Sequence, residues 1–191
     1  MIVTHFAFPE EVMLEIAAKA AHFVWLDHHQ TNQHLCAKLG SGPNPNVVIR
    51  FDLERSGAGI VWDTFFPDKP RPWLVNYVED RDLWRFSLPS SREVNCLVQA
   101  TPKHHLAYRT LLDMSLSEAV GRGIAMRQYL NVWVEDVIAA ARQITFLEFE
   151  KVPIVTCTYN GIADVLERLV KVSPSGVAIA WLQRKDGLFQ Y

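Results

Sequence analysis

The sequence lacks the features that mark membrane-spanning, secreted and disulfide-stabilised proteins. Among its 191 residues, no apolar run is long enough to cross a bilayer, and the start of the chain has no basic segment of the kind that opens a signal peptide. It holds three cysteines, Cys36, Cys96 and Cys157, too few and too widely spaced to predict a disulfide framework or a cysteine-based zinc site. We therefore expect reduced thiols, no membrane partner and a cytoplasmic protein.

An excess of charge of one sign is also missing. The chain has 19 Lys and Arg residues against 21 Asp and Glu residues, a formal net charge of −2, so a polycation that coats duplex nucleic acid is not expected. Hydrophobic residues make up 49% of the chain and charged residues 21%, which is typical of a folded protein. The length predicts one domain, or one domain and part of a second.

Short apolar runs alternate with amphipathic helical patterns in the first half of the chain. The runs are bounded by polar residues, as buried strands of a parallel sheet are, and the alternation indicates an α/β fold with right-handed crossovers. Residues 30–46 are polar and rich in Gly, Pro and Asn, so we expect a loop with one helical turn. The predicted strands are 2–3, 23–26 and 47–51, and the predicted helices are 9–21, 56–66 and 73–84.

From residue 91 the pattern becomes helical and then changes to a β-rich tail. Ser115 and Glu118 form a capping box, which predicts the start of a long helix reaching about residue 142. We interpret this helix as a link between domains. The predicted domain boundaries are 1–112, 113–143 and 144–191, and the predicted elements of the tail are strands at 144–149, 153–158 and 177–182, a helix at 162–172 and a hairpin turn at 185–187.

Asp27, His28 and His29 directly follow an apolar run. In open parallel sheets, ligands bind beyond the carboxyl ends of the strands, where side chains are both rigid and exposed. Carboxylate and imidazole ligands together suit Mn, Fe, Co or Zn better than Ca. The triplet therefore predicts a metal or catalytic site, with a solvated strand end as the alternative.

Two further segments carry polar groups that such a site needs. Residues 79–82 supply the carboxylates that a two-metal centre requires; the alternative, which these residues taken alone favour, is a solvated charged turn in which Arg81 pairs with its neighbours. Ser56 and Gly57 precede a helix, where backbone N–H groups bind anions, or where the serine simply caps the helix. His104 and His105 lie at a polar helix start and are predicted to be surface histidines.

Three blocks of sequence, 24–31, 51–58 and 77–84, together resemble the DHH phosphoesterase superfamily in order and spacing. The resemblance implies an N-terminal parallel-sheet DHH domain, a connecting helix and a partial α+β DHHA1-like C-terminal domain. It also implies hydrolysis of phosphoester or phosphoanhydride bonds, usually with two Mn²⁺ ions.

The same resemblance implies roles for individual side chains. His28 would be a metal ligand, Asp27 would orient it, and His29 would face the substrate phosphate or the leaving group. Asp80 would bridge the metals, with Asp82 as the alternative. Ser56 and Gly57 would lie near the cleft and bind substrate.

The chain departs from the family pattern in three places. No Asp-rich motif precedes Met1, His5 stands where a metal-binding Asp is expected, and the chain stops at Tyr191 before the glycine-rich motif. A neutral imidazole binds one metal but does not bridge two, as a carboxylate does. We therefore expect a relative that lacks both ends. An open strand edge at Tyr191 predicts a homodimer or low solubility.

These expectations lead to one principal hypothesis and two alternatives. The first is a metal-dependent phosphoesterase that acts on nucleotides or short single-stranded oligonucleotides. The second is a truncated or degenerate relative that binds phosphate-bearing molecules or a partner chain with little turnover. The third is a hydrolase with one metal held by His5, His28 and Asp80.

Overall fold

The computed structural model describes residues 1–42 and 44–190. The chain forms two compact units, 1–123 and 124–191. None of the described helices is long and apolar enough to span a membrane. The strand edge predicted at Tyr191 lies outside the described residues.

The first unit is built around a three-stranded parallel sheet in the order β1–β2–β3. Its register pairs Ile2 with Val24, and Val24 with Val48. This sheet confirms the predicted mixed α/β class and its parallel strands. The elements are β1 (Ile2–Thr4), α1 (Glu10–Lys19), β2 (Phe23–Asp27), α2 (Gln33–Gly40) and β3 (Val47–Phe51).

The prediction of a loop with one helical turn at residues 30–46 is wrong. A short 3-10 helix at Gln30–Asn32 leads directly into α2, which has 8 residues. Leu35, Cys36 and Leu39 lie on one face of α2 and are buried in the core beside the sheet. Burial of this apolar face outweighs the polar composition of the segment, because tertiary packing supplies most of the stability of a short helix.

The rest of the first unit is helical, with α3 (Gly57–Phe65), α4 (Trp73–Asp82), α5 (Ser91–Ala100) and α6 (His105–Asp113). A second core forms among α4, α5 and α6, where Leu74, Val94 and Leu111 are buried together. The predicted N-terminal cap of α3 is confirmed, since the Ser56 hydroxyl accepts a hydrogen bond from the Gly59 N–H at 3.0 Å. His104 and His105 are exposed as predicted, and His104 Nδ1 accepts from the Ala107 N–H.

The long helix α7 spans Leu116–Ala139. Ser115 Oγ accepts from the Glu118 N–H at 3.2 Å, which confirms the predicted helix start. The helix ends three residues before the predicted position, because β4 begins at Arg142. The division between the two units falls after Gly123, inside this helix.

The second unit contains a four-stranded sheet in the order β4–β5–β6–β7. The β5–β6 pair is parallel and the other two pairs are antiparallel. The predicted strand at 144–149 is interrupted by a turn at Leu147, whose φ is 53°, so its last residue belongs to β5. The elements are β4 (Arg142–Phe146), β5 (Phe149–Thr156), α8 (Ile162–Val172), β6 (Ile179–Gln183) and β7 (Phe189–Gln190), which confirms the predicted helix and the final hairpin.

Candidate metal centre

The carboxyl ends of β1 and β2 bring three histidines together. The two strands are parallel, with Thr4 opposite Leu26, and the His5 N–H donates to the Leu26 carbonyl at 2.9 Å. Because parallel strands end at the same edge of the sheet, His5 comes to lie beside the two histidines that follow β2. The backbone of His5 has a φ of 60°, the left-handed region that non-glycine residues rarely adopt and that is enriched at functional sites.

The three imidazoles form a compact cluster. His5 Nδ1 lies 3.1 Å from His28 Nε2, and the ring centroids of the three pairs are 4.6 to 4.9 Å apart. One nitrogen from each of His5, His28 and His29 lies within 4.8 Å of the others. Nitrogen atoms at these separations can approach a single cation, which would replace the direct contact between His5 and His28.

Asp27 supports the cluster from a fully buried position, with 0% of its surface exposed. Its Oδ1 accepts from His29 Nδ1 at 2.7 Å and from the backbone N–H groups of His28 and His29. Its Oδ2 accepts from Asn32 Nδ2 at 2.6 Å. Burial alone would raise the pKa of Asp27, but the hydrogen bonds from Asn32 and from the two histidines hold the pKa below its usual range.

Asp27 therefore contacts the imidazole ring of His29 and the backbone N–H of His28. The resemblance predicted that Asp27 orients His28. In the structure the hydrogen bond to His29 Nδ1 fixes the ring of His29 and directs its Nε2 away from the carboxylate. A carboxylate that accepts the second ring N–H of a metal-binding histidine is a common supporting arrangement.

His28 is largely buried and lies beside a carboxylate. Its side chain is 11% exposed, and its Nε2 lies 3.4 Å from Asp82 Oδ2. Burial lowers the pKa of His28, Asp82 opposes this effect, and the neighbouring His29 and His5 lower the pKa further. A lowered pKa keeps the imidazole neutral, which is the form that binds metals.

Asp80 makes different contacts from those the resemblance implied. Its Oδ1 accepts from the Ser87 N–H at 2.9 Å and from the Ser87 hydroxyl at 2.8 Å, and its Oδ2 accepts from the Leu88 N–H. Burial alone would raise the pKa of Asp80, but hydrogen bonds from Ser91, Ser87 and Leu88 lower it. The carboxylate is thus engaged with the chain after α4, and Asp82 is the carboxylate that the structure brings to His28.

Ser56 and Gly57 lie behind the cluster. The Ser56 N–H and hydroxyl both contact Glu79 Oε2, at 2.9 and 3.2 Å, and Ser56 is fully buried. Gly57 packs against His5, because a Cβ atom placed on this glycine would lie 3.2 Å from the His5 Cβ and closer still to the ring. Gly57 thus leaves the space that the His5 ring occupies. The predicted role of both residues in substrate binding stays a prediction.

The sequence pattern gives no sign of the role of Asn32, and it predicts a different role for Glu79. Asn32 holds the second oxygen of Asp27, and Glu79 holds the turn before α3 together with Arg55 and Arg71. Asn32 stands five residues after Asp27 in a segment predicted as a loop, so only its helical placement brings it back to the strand end. Glu79 belongs to the acidic segment 79–82, whose composition predicts metal ligands or a solvated charged turn.

The donor set fits one divalent transition metal better than two. Three imidazole nitrogens and one nearby carboxylate are a ligand set that Zn, Mn, Fe or Co accepts. Two ions at close range need carboxylates to bridge them and to offset their charge. Asp82 lies beside His28, whereas Asp27 accepts from His29 and Asn32 and Asp80 is held by Ser87 and Leu88. The arrangement therefore fits a site with one ion.

Comparison with known proteins identifies no family for this chain. No family model matches it, and no solved structure matches it. It is similar to an uncharacterized protein of Acanthamoeba polyphaga mimivirus, with 38% identity over 139 residues, which are 72% of this chain and 32% of the relative. The chain thus spans about a third of the length of the curated relative it matches.

Proposed function

We propose that this chain is a metal-dependent phosphoesterase of the DHH type, acting on phosphodiester or phosphoanhydride bonds of nucleotides or short oligonucleotides. The observation that carries the proposal is the convergence of His5, His28 and His29 at the carboxyl ends of β1 and β2. The three sequence blocks that resemble the superfamily also support it, since block 24–31 contains the end of β2 and block 51–58 begins at the end of β3.

Each residue of the cluster has a defined task in this proposal. Of the three imidazoles that could ligate an ion, His5 and His28 would hold it, Mn²⁺ in the family that the chain resembles, and Asp82 would offer the carboxylate beside His28. The metal supplies Lewis-acid chemistry to the phosphate. His29 donates its Nδ1 proton to Asp27, so its Nε2 is able to accept a proton from a nucleophile or return one to the leaving group.

Asp27 favours this use of His29 in two ways. Its low pKa keeps the carboxylate ionised, so it holds His29 in one tautomer and stabilises the imidazolium when Nε2 takes up a proton. Its other hydrogen bonds, from Asn32 and from the backbone, fix its own position. The histidine therefore stays oriented whether its Nε2 is protonated or not.

A second candidate function is binding of phosphate-bearing molecules without turnover. The observation that favours it is the engagement of Asp80 with Ser87 and Leu88, which leaves a one-ion donor set where the family uses two ions. A single ion still binds phosphate, but it does not by itself stabilise both the attacking and the leaving oxygen.

The experiment is a titration of the metal-stripped full chain with Mn²⁺ by calorimetry, followed by hydrolysis assays. The assays use bis-para-nitrophenyl phosphate and a short oligonucleotide. We expect one Mn²⁺ site that His28→Ala removes, and a loss of kcat of about 10²–10⁴-fold in His29→Ala. His34→Ala is the matched control, because the His34 side chain is 71% exposed and pairs with Glu10 outside the cluster.

The outcomes separate the two candidates. Metal binding with hydrolysis that His28→Ala abolishes and His34→Ala preserves supports the phosphoesterase. Metal binding without hydrolysis of either substrate favours the binding function. Hydrolysis that survives in His28→Ala would rule out the proposed site, and absence of any Mn²⁺ binding would rule out both candidates.

A further inference from the structure

A pocket of about 520 Å³ opens beside the histidine cluster. His5 and Asp82 line its inner end, and Arg81, Trp84, Lys103 and Tyr108 are among the residues of its walls. Its volume lies within the roughly 300–1,000 Å³ range of small-molecule sites. Its walls thus combine two cations with two aromatic rings, next to the residues that we assign to the metal.

The wall that carries Trp84 is a strained and firmly held loop. Trp84 and Phe86 have φ values of 54° and 48°, which bulky residues rarely adopt and which persist only where the surroundings enforce them. The Arg85 and Phe86 N–H groups donate to the Asp80 carbonyl, while the Asp80 carboxylate holds Ser87 and Leu88. Asp80 therefore builds the loop that presents Trp84.

The indole of Trp84 is available for stacking at this position. It is 41% exposed. Phe86 supports it from one side with a ring-centroid distance of 4.9 Å. The Arg81 guanidinium lies 5.4 Å from the ring and donates to Gln99 Oε1 at 3.1 Å, so it is held at the pocket wall.

The charges of the pocket favour an anion. Arg81 and Lys103 contribute two positive charges, against one negative charge from Asp82, and the Asp82 carboxylate is directed at His28. An inorganic oligophosphate would use the cations but leave the aromatic rings uncovered. A ligand with a flat ring and a negative group would use both, because aromatic rings stack on bases and cations bind phosphate.

We propose that this pocket is a specificity subsite, in which Trp84 and Tyr108 contact the ring and Lys103 and Arg81 contact the charged group of a nucleoside monophosphate moiety. The inference rests on the proposed function, because it assigns the non-reacting part of that substrate to the pocket next to the metal site. A subsite of this kind selects nucleotides over inorganic phosphate chains.

The test measures binding to the metal-stripped full chain, so that it does not depend on hydrolysis. The probes are adenosine monophosphate, ribose phosphate and inorganic tripolyphosphate, titrated by calorimetry in the presence of a chelator. We expect adenosine monophosphate to bind about tenfold more tightly than ribose phosphate, since one stacked base contributes to that extent. Tripolyphosphate should bind less tightly than adenosine monophosphate, because it leaves the aromatic rings uncovered.

Two variants test the assigned residues. Trp84→Gly removes the ring and suits the positive φ of this position, and we expect it to reduce the affinity for adenosine monophosphate about tenfold. Its control is Leu147→Gly, which also replaces an exposed apolar residue of positive φ but lies in the second unit. Lys103→Gln should weaken binding of all three probes, whereas Lys19→Gln, on the exposed end of α1, should not.

The results either support or overturn the subsite. Equal affinity for adenosine monophosphate and ribose phosphate, or unchanged affinity in both Trp84→Gly and Lys103→Gln, overturns it. Should Trp84→Gly fail to fold, Lys103→Gln alone decides the outcome, since this exposed residue lies outside the cores. Failure of the proposed function appears instead as lost metal binding or lost hydrolysis with adenosine monophosphate binding intact.

Discussion

The two units of the chain each contain a parallel strand pair, and the residues that follow the first strand of each pair differ in kind. In the first unit His5 follows β1, and its N–H donates to Leu26 at 2.9 Å; in the second unit Cys157 follows β5, and its N–H donates to Trp181 at 3.0 Å. The two strand ends share this backbone hydrogen bond. The histidine is exposed beside two others, whereas the cysteine is buried, so chemistry at a strand end depends on the side chains placed there.

The units also differ in how they use a buried carboxylate and a cavity. Asp27 is held by a histidine, an asparagine and backbone N–H groups, whereas Asp164 in the second unit is paired with the Arg127 guanidinium at 2.6 Å. The pocket beside His5 is lined by charged and aromatic residues. The cleft of the second unit, about 690 Å³, is lined by apolar residues such as Ile144, Ile154 and Leu166.

The largest effect we expect is from breaking the buried ion pair of the second unit. Arg127→Met leaves the Asp164 carboxylate, which is 2% exposed, without its cation. The free energy of unfolding should fall by about 3–5 kcal/mol, as for other broken buried pairs. Chemical denaturation measures it, with Arg122→Met as the control, since Arg122 and Glu118 form an exposed pair that contributes at most about 0.5 kcal/mol. Equal losses in the two variants would contradict the prediction.

The next effect tests the carboxylate of the first unit. Asp27→Asn keeps the shape of the side chain but removes the charge that accepts from the His28 N–H and from the His29 ring. Because His28 is a proposed ligand, we expect affinity for Mn²⁺ to fall about 10- to 100-fold. Calorimetry of the metal-stripped chain measures this affinity. Asp113→Asn, which changes an exposed carboxylate at the end of α6, should leave it unchanged. Unaltered binding in Asp27→Asn would show that Asp27 does not support the site.

A third effect concerns the space behind His5. Gly57→Ala places a methyl group against the His5 ring, so it should lower the free energy of unfolding by about 1–3 kcal/mol, as overpacking does, and weaken Mn²⁺ binding. Gly121→Ala is the matched control, because a Cβ atom there meets nothing within 4 Å. That helical substitution should instead stabilise the chain by up to about 1 kcal/mol. Tolerance of both substitutions would show that His5 does not depend on Gly57.

The smallest effect compares the thiols of the two units. Burial, and the charge of Asp27, raise the pKa of Cys36 to about 12, and burial raises the pKa of Cys157. A raised pKa keeps each thiol protonated and unreactive in the native state. Between pH 7 and pH 9 we therefore expect little change in the slow alkylation of either cysteine by iodoacetamide, followed by mass spectrometry of the peptides. Acceleration like that of an ordinary exposed thiol would contradict this expectation.

Much of the fold is predictable from local sequence pattern. The three strands of the parallel sheet, the capped helix α3 and the amphipathic helix α8 were predicted with bounds close to those observed, because their apolar residues recur at strand or helix spacing. Helix α2 was missed, since its short apolar face is embedded in polar residues and becomes stable only when Leu35 and Leu39 pack in the core. The turn at Leu147 was missed because apolar residues continue through it.

The candidate site was predictable in part for a similar reason. Asp27, His28 and His29 are neighbours in the sequence and directly follow a strand, so their convergence needs no knowledge of the fold. The choice between Asp80 and Asp82 was not predictable, because two residues along a helix point in different directions. The helix directs Asp82 to His28 and Asp80 to the loop that carries Trp84.

The residue types at the end of β2, the parallel α/β sheet and the bounds of most helices follow from the sequence alone, because these features depend on local periodicity and capping. The completion of the cluster by His5, the room that Gly57 leaves for its ring and the support of a loop by Asp80 depend on the three-dimensional structure. The first two outcomes follow from the register between β1 and β2 and from the packing of α3 against β2, which join residues far apart in the chain. The third follows from the turn after α4, which brings Ser87 and Leu88 back to Asp80.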